Sequence, residues 1–126
     1  MRLWHEKLLS ELPRQQLLGQ HRECCALRGN AWGKNHTTVN YVFSYSPYKL
    51  YLYHMIVINE MKQRGYKNDP LWENPSYRGK TCPPYKDEQL KEACNKHDGN
   101  SPIYPEHNGE YLQECINNLN AKGIRL

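Results

Sequence analysis

Apolar side chains recur at helical spacing in two long stretches, the first beginning near Ser10. From Ser10 to Arg28, Leu17, Leu18, His21, Cys24, Cys25 and Arg28 share one side, with Ser10 placed to cap and Pro13 tolerated in the first turn. Gly29 and Asn30 stop that helix. Its other side carries Gln16, Gly19, Gln20 and Glu23, a narrow polar stripe containing a glycine. Glycine weakens a helix interior by ~1 kcal/mol relative to Ala, so Gly19 predicts close approach of another backbone. The chain's own N-terminus is a candidate for that backbone.

The second stretch opens at Ser46-Pro47, a cap followed by proline at the first helical position, and runs to Arg64 with Gly65 as its stop. Leu50, His54, Val57, Ile58 and Met61 form its inner stripe. Leu52, Met55 and Ile56 make it apolar nearly all round, as in a central helix covered by neighbours. Between these helices, residues Ala31 to Tyr45 lack a clean period and read as a loop with extended character or a short strand pair. From Tyr66 to Tyr85, four prolines with Trp72, Tyr77 and Tyr85 between them predict a long ordered loop. A short helix is expected from Asp87 to about His97, closed by Gly99. A last one is expected from about Pro105 to Ala121, with Leu112, Cys115, Ile116 and Leu119 inward and Gly123 as its stop. The fold class is mainly α: one compact domain over residues 1–126, with three to four helices and long ordered loops.

Composition narrows the function classes. The 17 Lys and Arg against 13 Asp and Glu give a formal charge of +4, which permits an anionic partner without demanding one. The 10 Tyr, 3 Trp and 1 Phe can border a core or line a base-binding surface. Trp4 and Trp32 are candidates for stacking on bases or for packing over the ends of the first helix. The longest apolar run, Leu50 to Ile58, contains His54 and is too short to span a bilayer, so no membrane partner and a cytoplasmic location are expected. Five cysteines with no secretory segment predict reduced thiols. Cys82, Cys94 and Cys115 match no zinc spacing, and although His97 and His107 lie among them, no metal is assigned.

On its own, the Arg22-Glu23 pair is an ordinary solvated pair on a helix. Its setting gives it more meaning. The pattern Ser10-Glu11-Leu12, Gln15, Leu17, Arg22-Glu23 resembles, without a gap, the first helix of the pyrimidine-dimer DNA glycosylase/AP lyases of the phage endonuclease V type. Arg64-Gly65-Tyr66 and Tyr77-Arg78-Gly79 resemble the same family in order. The block from Met1 to His36 looks like a bacterial branch of it.

The resemblance implies a DNA repair enzyme acting on double-stranded DNA with damaged or abasic sites, working as a monomer. It implies imine catalysis, in which a free N-terminal α-amine attacks C1′, the base leaves, and β-elimination from the Schiff base nicks the strand, with no cofactor or metal. Glu23 would stabilise positive charge on the sugar and assist proton transfer. Arg22 would bind phosphate or fill the space of a displaced base. Arg2 stands where phage members carry threonine, which predicts that the initiator methionine is retained and that the nucleophile is the Met1 amine unless cleavage exposes Arg2. Leu3 and Ala26 replace arginines that grip substrate, so phosphate contacts pass to Arg2, Arg14, Arg28, Lys34 and His36. Gln16 replaces a histidine and, with His21 and His5, is a candidate supporting residue. His21 and His54, on the inner stripes, are expected to be satisfied core groups. Lys34 offers a side-chain amine as an alternative imine former. Two other classes stay open: a nucleic-acid-binding or interaction module without chemistry, and a metal-dependent nuclease using Glu23 and the histidines.

Overall fold

A computed structural model describes residues 2–34, 38–94 and 103–126. The described residues form four α-helices, with no strand among them: α1 Arg14–Arg28, α2 Pro47–Gln63, α3 Asp87–Cys94 and α4 Gly109–Ala121. Short 3-10 turns occupy Glu6–Leu8, Asn40–Ser44 and Pro70–Glu73. The mainly α expectation holds.

Helix α2 follows its sequence signals closely. The Ser46 hydroxyl accepts from the Tyr48 N–H at 3.2 Å, Pro47 sits in the first turn, and Gly65 adopts a φ of +81° just past the end. Its buried residues are the expected stripe plus Tyr53.

Helix α1 begins later than its sequence predicts. Proline disfavours helical geometry in the residue before it, so the helix cannot run back through Leu12. Pro13 is the N-cap, its carbonyl accepts from the Leu17 N–H, and Ser10 caps nothing. The carbonyls of Ser10 and Leu12 instead accept from the Arg64 guanidinium, at 3.1 and 2.7 Å, which ties the turn before α1 to the end of α2.

One further boundary is corrected, one alternative falls, and one expectation lies outside the described residues. Helix α4 starts at Gly109 because Asn108, not a residue near Pro105, supplies the capping side chain to the Tyr111 N–H. The strand pair between residues 31 and 45 gives way to turns and the 3-10 segment in the described part, residues 35–37 lying outside it. The end of the third helix beyond Cys94, with His97 and Gly99, also lies outside the described residues.

The core unites Leu3, Trp4, Leu8, Leu9 and Leu12 from the N-terminal segment with Leu17, Cys24 and Leu27 of α1, Leu50, Tyr53, Val57 and Met61 of α2, and Cys115 and Leu119 of α4. Burying one such side chain is worth ~1.5–3 kcal/mol. The segment from Leu3 to Leu12 is therefore fastened into the core, and α1 presents its polar stripe beside it.

Candidate active site

Four residues of α1 at helical spacing, Gln16, Gly19, Gln20 and Glu23, form the floor of a cleft of about 320 Å³. Arg2 and Trp4 of the N-terminal segment line one part of it, and Thr38 with Asn118 of α4 and Lys122 at that helix's C-cap line the rest. Gln20 is buried to 1% exposure and joins the two polar walls. Its Oε1 accepts from the Trp4 N–H at 2.7 Å, and its Nε2 donates to the Arg2 carbonyl at 3.0 Å and to Glu23 Oε2 at 3.1 Å.

Burial raises the Glu23 pKa above the usual carboxylate value, while the Arg2 backbone, the Gln20 carboxamide and the charge of Lys122 offset part of that shift. A carboxyl tuned upward in this way suits proton transfer near neutral pH better than an exposed one. Lys122 also places its ammonium 5.2 Å from the centroid of the Trp4 ring, at the cleft edge. Sequence reasoning did not single out Thr38, Asn118 or Lys122. The only available signal was the i,i+4 spacing of Asn118 and Lys122 on α4, which is no more than a helix face.

Among the described residues no backbone approaches Gly19 closely, Met1 lying outside them. Of the described residues, a Cβ there would meet the Arg22 guanidinium, at 3.8 Å, and the backbone of Arg2 and Trp4 packs against Gln20 instead. Gly19 lines the cleft floor. It is Gly29 that makes room for another backbone: a Cβ there would lie 2.8 Å from the Arg78 carbonyl oxygen.

The other predicted site residues disperse. Arg22 and Arg14 are exposed, Arg22 beside Gly19 and Arg14 5.1 Å from the Tyr66 ring centroid. Arg2 lies 3.6 Å from Glu114 and 5.9 Å from the Tyr111 ring centroid. Lys34 opens onto a separate groove of about 540 Å³ with Cys25, Trp72 and Arg78. Met1 and His36 lie outside the described residues.

His5 does not reach the cleft: it is buried, stacked on His107 at 5.5 Å. Trp4 is largely buried core as well as cleft wall, and Trp32 packs edge-on against Phe43 and Tyr85. Arg28 is not available to phosphate. At 1% exposure it donates to the carbonyls of Trp72, Asn74 and Tyr77 at 2.7, 2.7 and 3.0 Å, and stabilises the loop after α2.

His21, Cys25 and His54 gather within 4.8 Å of one another and are metal-ligand types. Arg28 argues against using them so. Its Nη1 lies 3.0 Å from His54 Nδ1, and a guanidinium only donates, which leaves His54 Nε2 protonated and donating to His21 Nδ1 at 2.8 Å. Burial also pushes the Cys25 thiol up to about 12. The trio lies about 200° around α1 from Glu23, so it does not share a site with that carboxylate. Cys24, Cys25, Cys82 and Cys115 are free thiols.

Fold and cleft together define a small helical protein that fastens its N-terminal segment beside one half-buried carboxylate. Residues 1–74 match the family described as pyrimidine dimer DNA glycosylase, and the chain belongs to that family. No curated protein matches the chain, and no solved structure does. Membership gives it a glycosylase-type function on DNA. The match stops before α3 and α4, so the wall carrying Asn118 and Lys122 lies outside the matched residues.

Proposed function

We propose that the protein is a pyrimidine-dimer DNA glycosylase with AP lyase activity, using the Met1 α-amine as nucleophile and Glu23 as the assisting carboxyl. One observation carries this reading: the Arg2 carbonyl and the Glu23 carboxylate accept from the same Gln20 nitrogen. Met1 precedes Arg2 across one peptide bond, with ~3.8 Å between successive Cα atoms, and this short covalent link to Arg2 supports its amine as the nucleophile.

The amine attacks C1′ of the damaged nucleotide, the glycosidic bond breaks, and the base departs with its electron pair. The nitrogen loses a proton and the sugar ring opens, which leaves an imine between protein and C1′. Loss of a proton from C2′ then expels the 3′ phosphate and breaks the strand, and water releases the protein. An α-amine, with an ordinary pKa of ~7.7–8.0, keeps a useful unprotonated fraction at neutral pH. Glu23 stabilises cationic character at C1′ and shuttles protons. Exposed Arg22 and Lys122 flank the cleft as phosphate contacts, with Arg14 further out along α1. Reaching C1′ requires extrusion of a nucleotide, which is cheapest where a lesion has weakened stacking. The protein acts as a monomer in the bacterial cytosol.

Borohydride trapping on duplex DNA containing an abasic site or a cyclobutane dimer tests the reading. A covalent adduct at the N-terminal residue is expected. No adduct from protein whose N-terminus is shown free by mass spectrometry overturns the lyase assignment.

A further inference from the structure

We infer that Gln20 is a positioning residue that couples the placement of the N-terminal backbone to the orientation and ionisation of Glu23, a role that rests on the reaction proposed above. The side-chain assignment is unambiguous. The Trp4 N–H can only donate, so the atom 2.7 Å from it is the carboxamide oxygen, and the nitrogen faces two acceptors, the Arg2 carbonyl and Glu23 Oε2.

Toward residues 2 and 4 the carboxamide behaves as the peptide group of a neighbouring strand would, accepting from one residue's N–H and donating to the other's carbonyl. A peptide group has no second hydrogen to give. The primary amide does, and it spends that hydrogen on Glu23, three residues along the same helix. The geometry is held from behind by α2. The Tyr53 hydroxyl lies 3.0 Å from Gln20 Oε1 and also donates to the Trp4 carbonyl, so its single proton is shared between the two. Both groups are fully buried, where an unmet polar atom is costly, and the arrangement has little freedom to drift.

Few side chains can replace it. Asparagine is one methylene shorter, methionine has the length but no donor, and glutamate keeps the acceptor while confronting Glu23 with a second carboxylate. At 1% exposure Gln20 offers almost no surface of its own at the cleft floor and therefore acts on the reacting atoms through Arg2 and Glu23.

Gln20→Glu and Gln20→Met test the coupling. The titration of Glu23 is followed in the free protein by carboxyl carbon NMR, with thermal unfolding as a check on folding. In Gln20→Glu the Glu23 midpoint should rise by about one pH unit or more, because two neighbouring carboxylates resist ionising together. In Gln20→Met, which removes the donor without adding charge, the rise should be smaller, and this variant serves if Gln20→Glu does not fold. Borohydride trapping should slow by about a hundredfold, the cost of a ~1 Å misplacement, while the Kd for abasic duplex stays within about twofold. The acid limb of the trapping rate should move with the NMR midpoint. An unchanged Glu23 titration in the folded variants overturns the coupling, whatever the wild type traps. A Glu23 shift of the stated sign in a protein that never traps upholds the coupling and overturns the glycosylase/lyase reading instead.

Discussion

The two faces of α1 carry contrasting polar networks. On one, Arg28 gives its Nη hydrogens to three carbonyls and His54, while the Arg28 and Gly29 carbonyls accept from Arg78 at 2.8 and 3.1 Å. Each arginine thus binds the backbone beside the other, and the Arg78 charge sits at the helix C-terminus where the macrodipole favours it. On the other face, Glu23 is half-buried and opens on a cleft. In the first network the Arg28 Nη hydrogens are all engaged and its buried Nε alone of that guanidinium has no partner, and the second keeps a carboxylate that lines an open cleft. A buried network whose donors are almost all engaged holds structure together, whereas a partly desolvated one with unused capacity can do chemistry.

The contrast breaks most sharply at Glu23. Glu23→Gln is expected to lower trapping and strand cleavage by ~10²–10⁴-fold, the range for losing a positioned proton-transfer group. Its Tm should not fall, because burial already disfavours the charged form and the amide retains an acceptor for Gln20. A Tm drop as large as the rate loss would move Glu23 into the structural class.

Arg28→Met reverses the pattern. Three carbonyls and His54 lose their donor, and stability is expected to fall by ~3 kcal/mol in denaturant unfolding. At temperatures where the variant stays folded, its DNA affinity and trapping rate should match the wild type. A selective loss of DNA binding would instead make Arg28 a phosphate contact.

Acid should strike the buried imidazoles next. Burial lowers the pKa values of His54, His21 and His5, and carries His107 down to about 3. The unfolded chain binds these protons more tightly than the folded protein does. The stability they contribute is therefore complete above ~6.5 and is lost as pH falls through and below that value. The slope reaches ~1.4 kcal/mol per pH unit for each histidine protonated only on unfolding. His107→Gln, which keeps an acceptor for Tyr41, should flatten the curve by about one proton, as read from urea unfolding at a series of pH values.

The smallest effect belongs to the cleft rim. Lys122→Gln should reduce the slope of log K against log salt for abasic duplex by ~0.9, one phosphate contact, with stability within ~0.5 kcal/mol of wild type. An unchanged slope would remove the α4 wall from the DNA interface.

The sequence by itself determined the helical class, the whole of α2, the ordered loop after it, and the family, because caps, prolines, glycine stops and the Arg22-Glu23 helix are local signals read over a few residues. It also put Gln16, Gly19, Gln20 and Glu23 on one stripe, since a 3.6-residue period fixes which side chains share a face. It could not tell that Arg28 is buried or that Gln20 joins the N-terminus to Glu23. Arg28 finds its carbonyls about 45 residues away in the loop after α2, and Gln20 finds Trp4 across 16 residues. Only tertiary packing decided which polar residues of α1 were spent on the fold and which kept a side open to the cleft. Local pattern sets the direction in which a side chain points, but what it meets there depends on segments far along the chain.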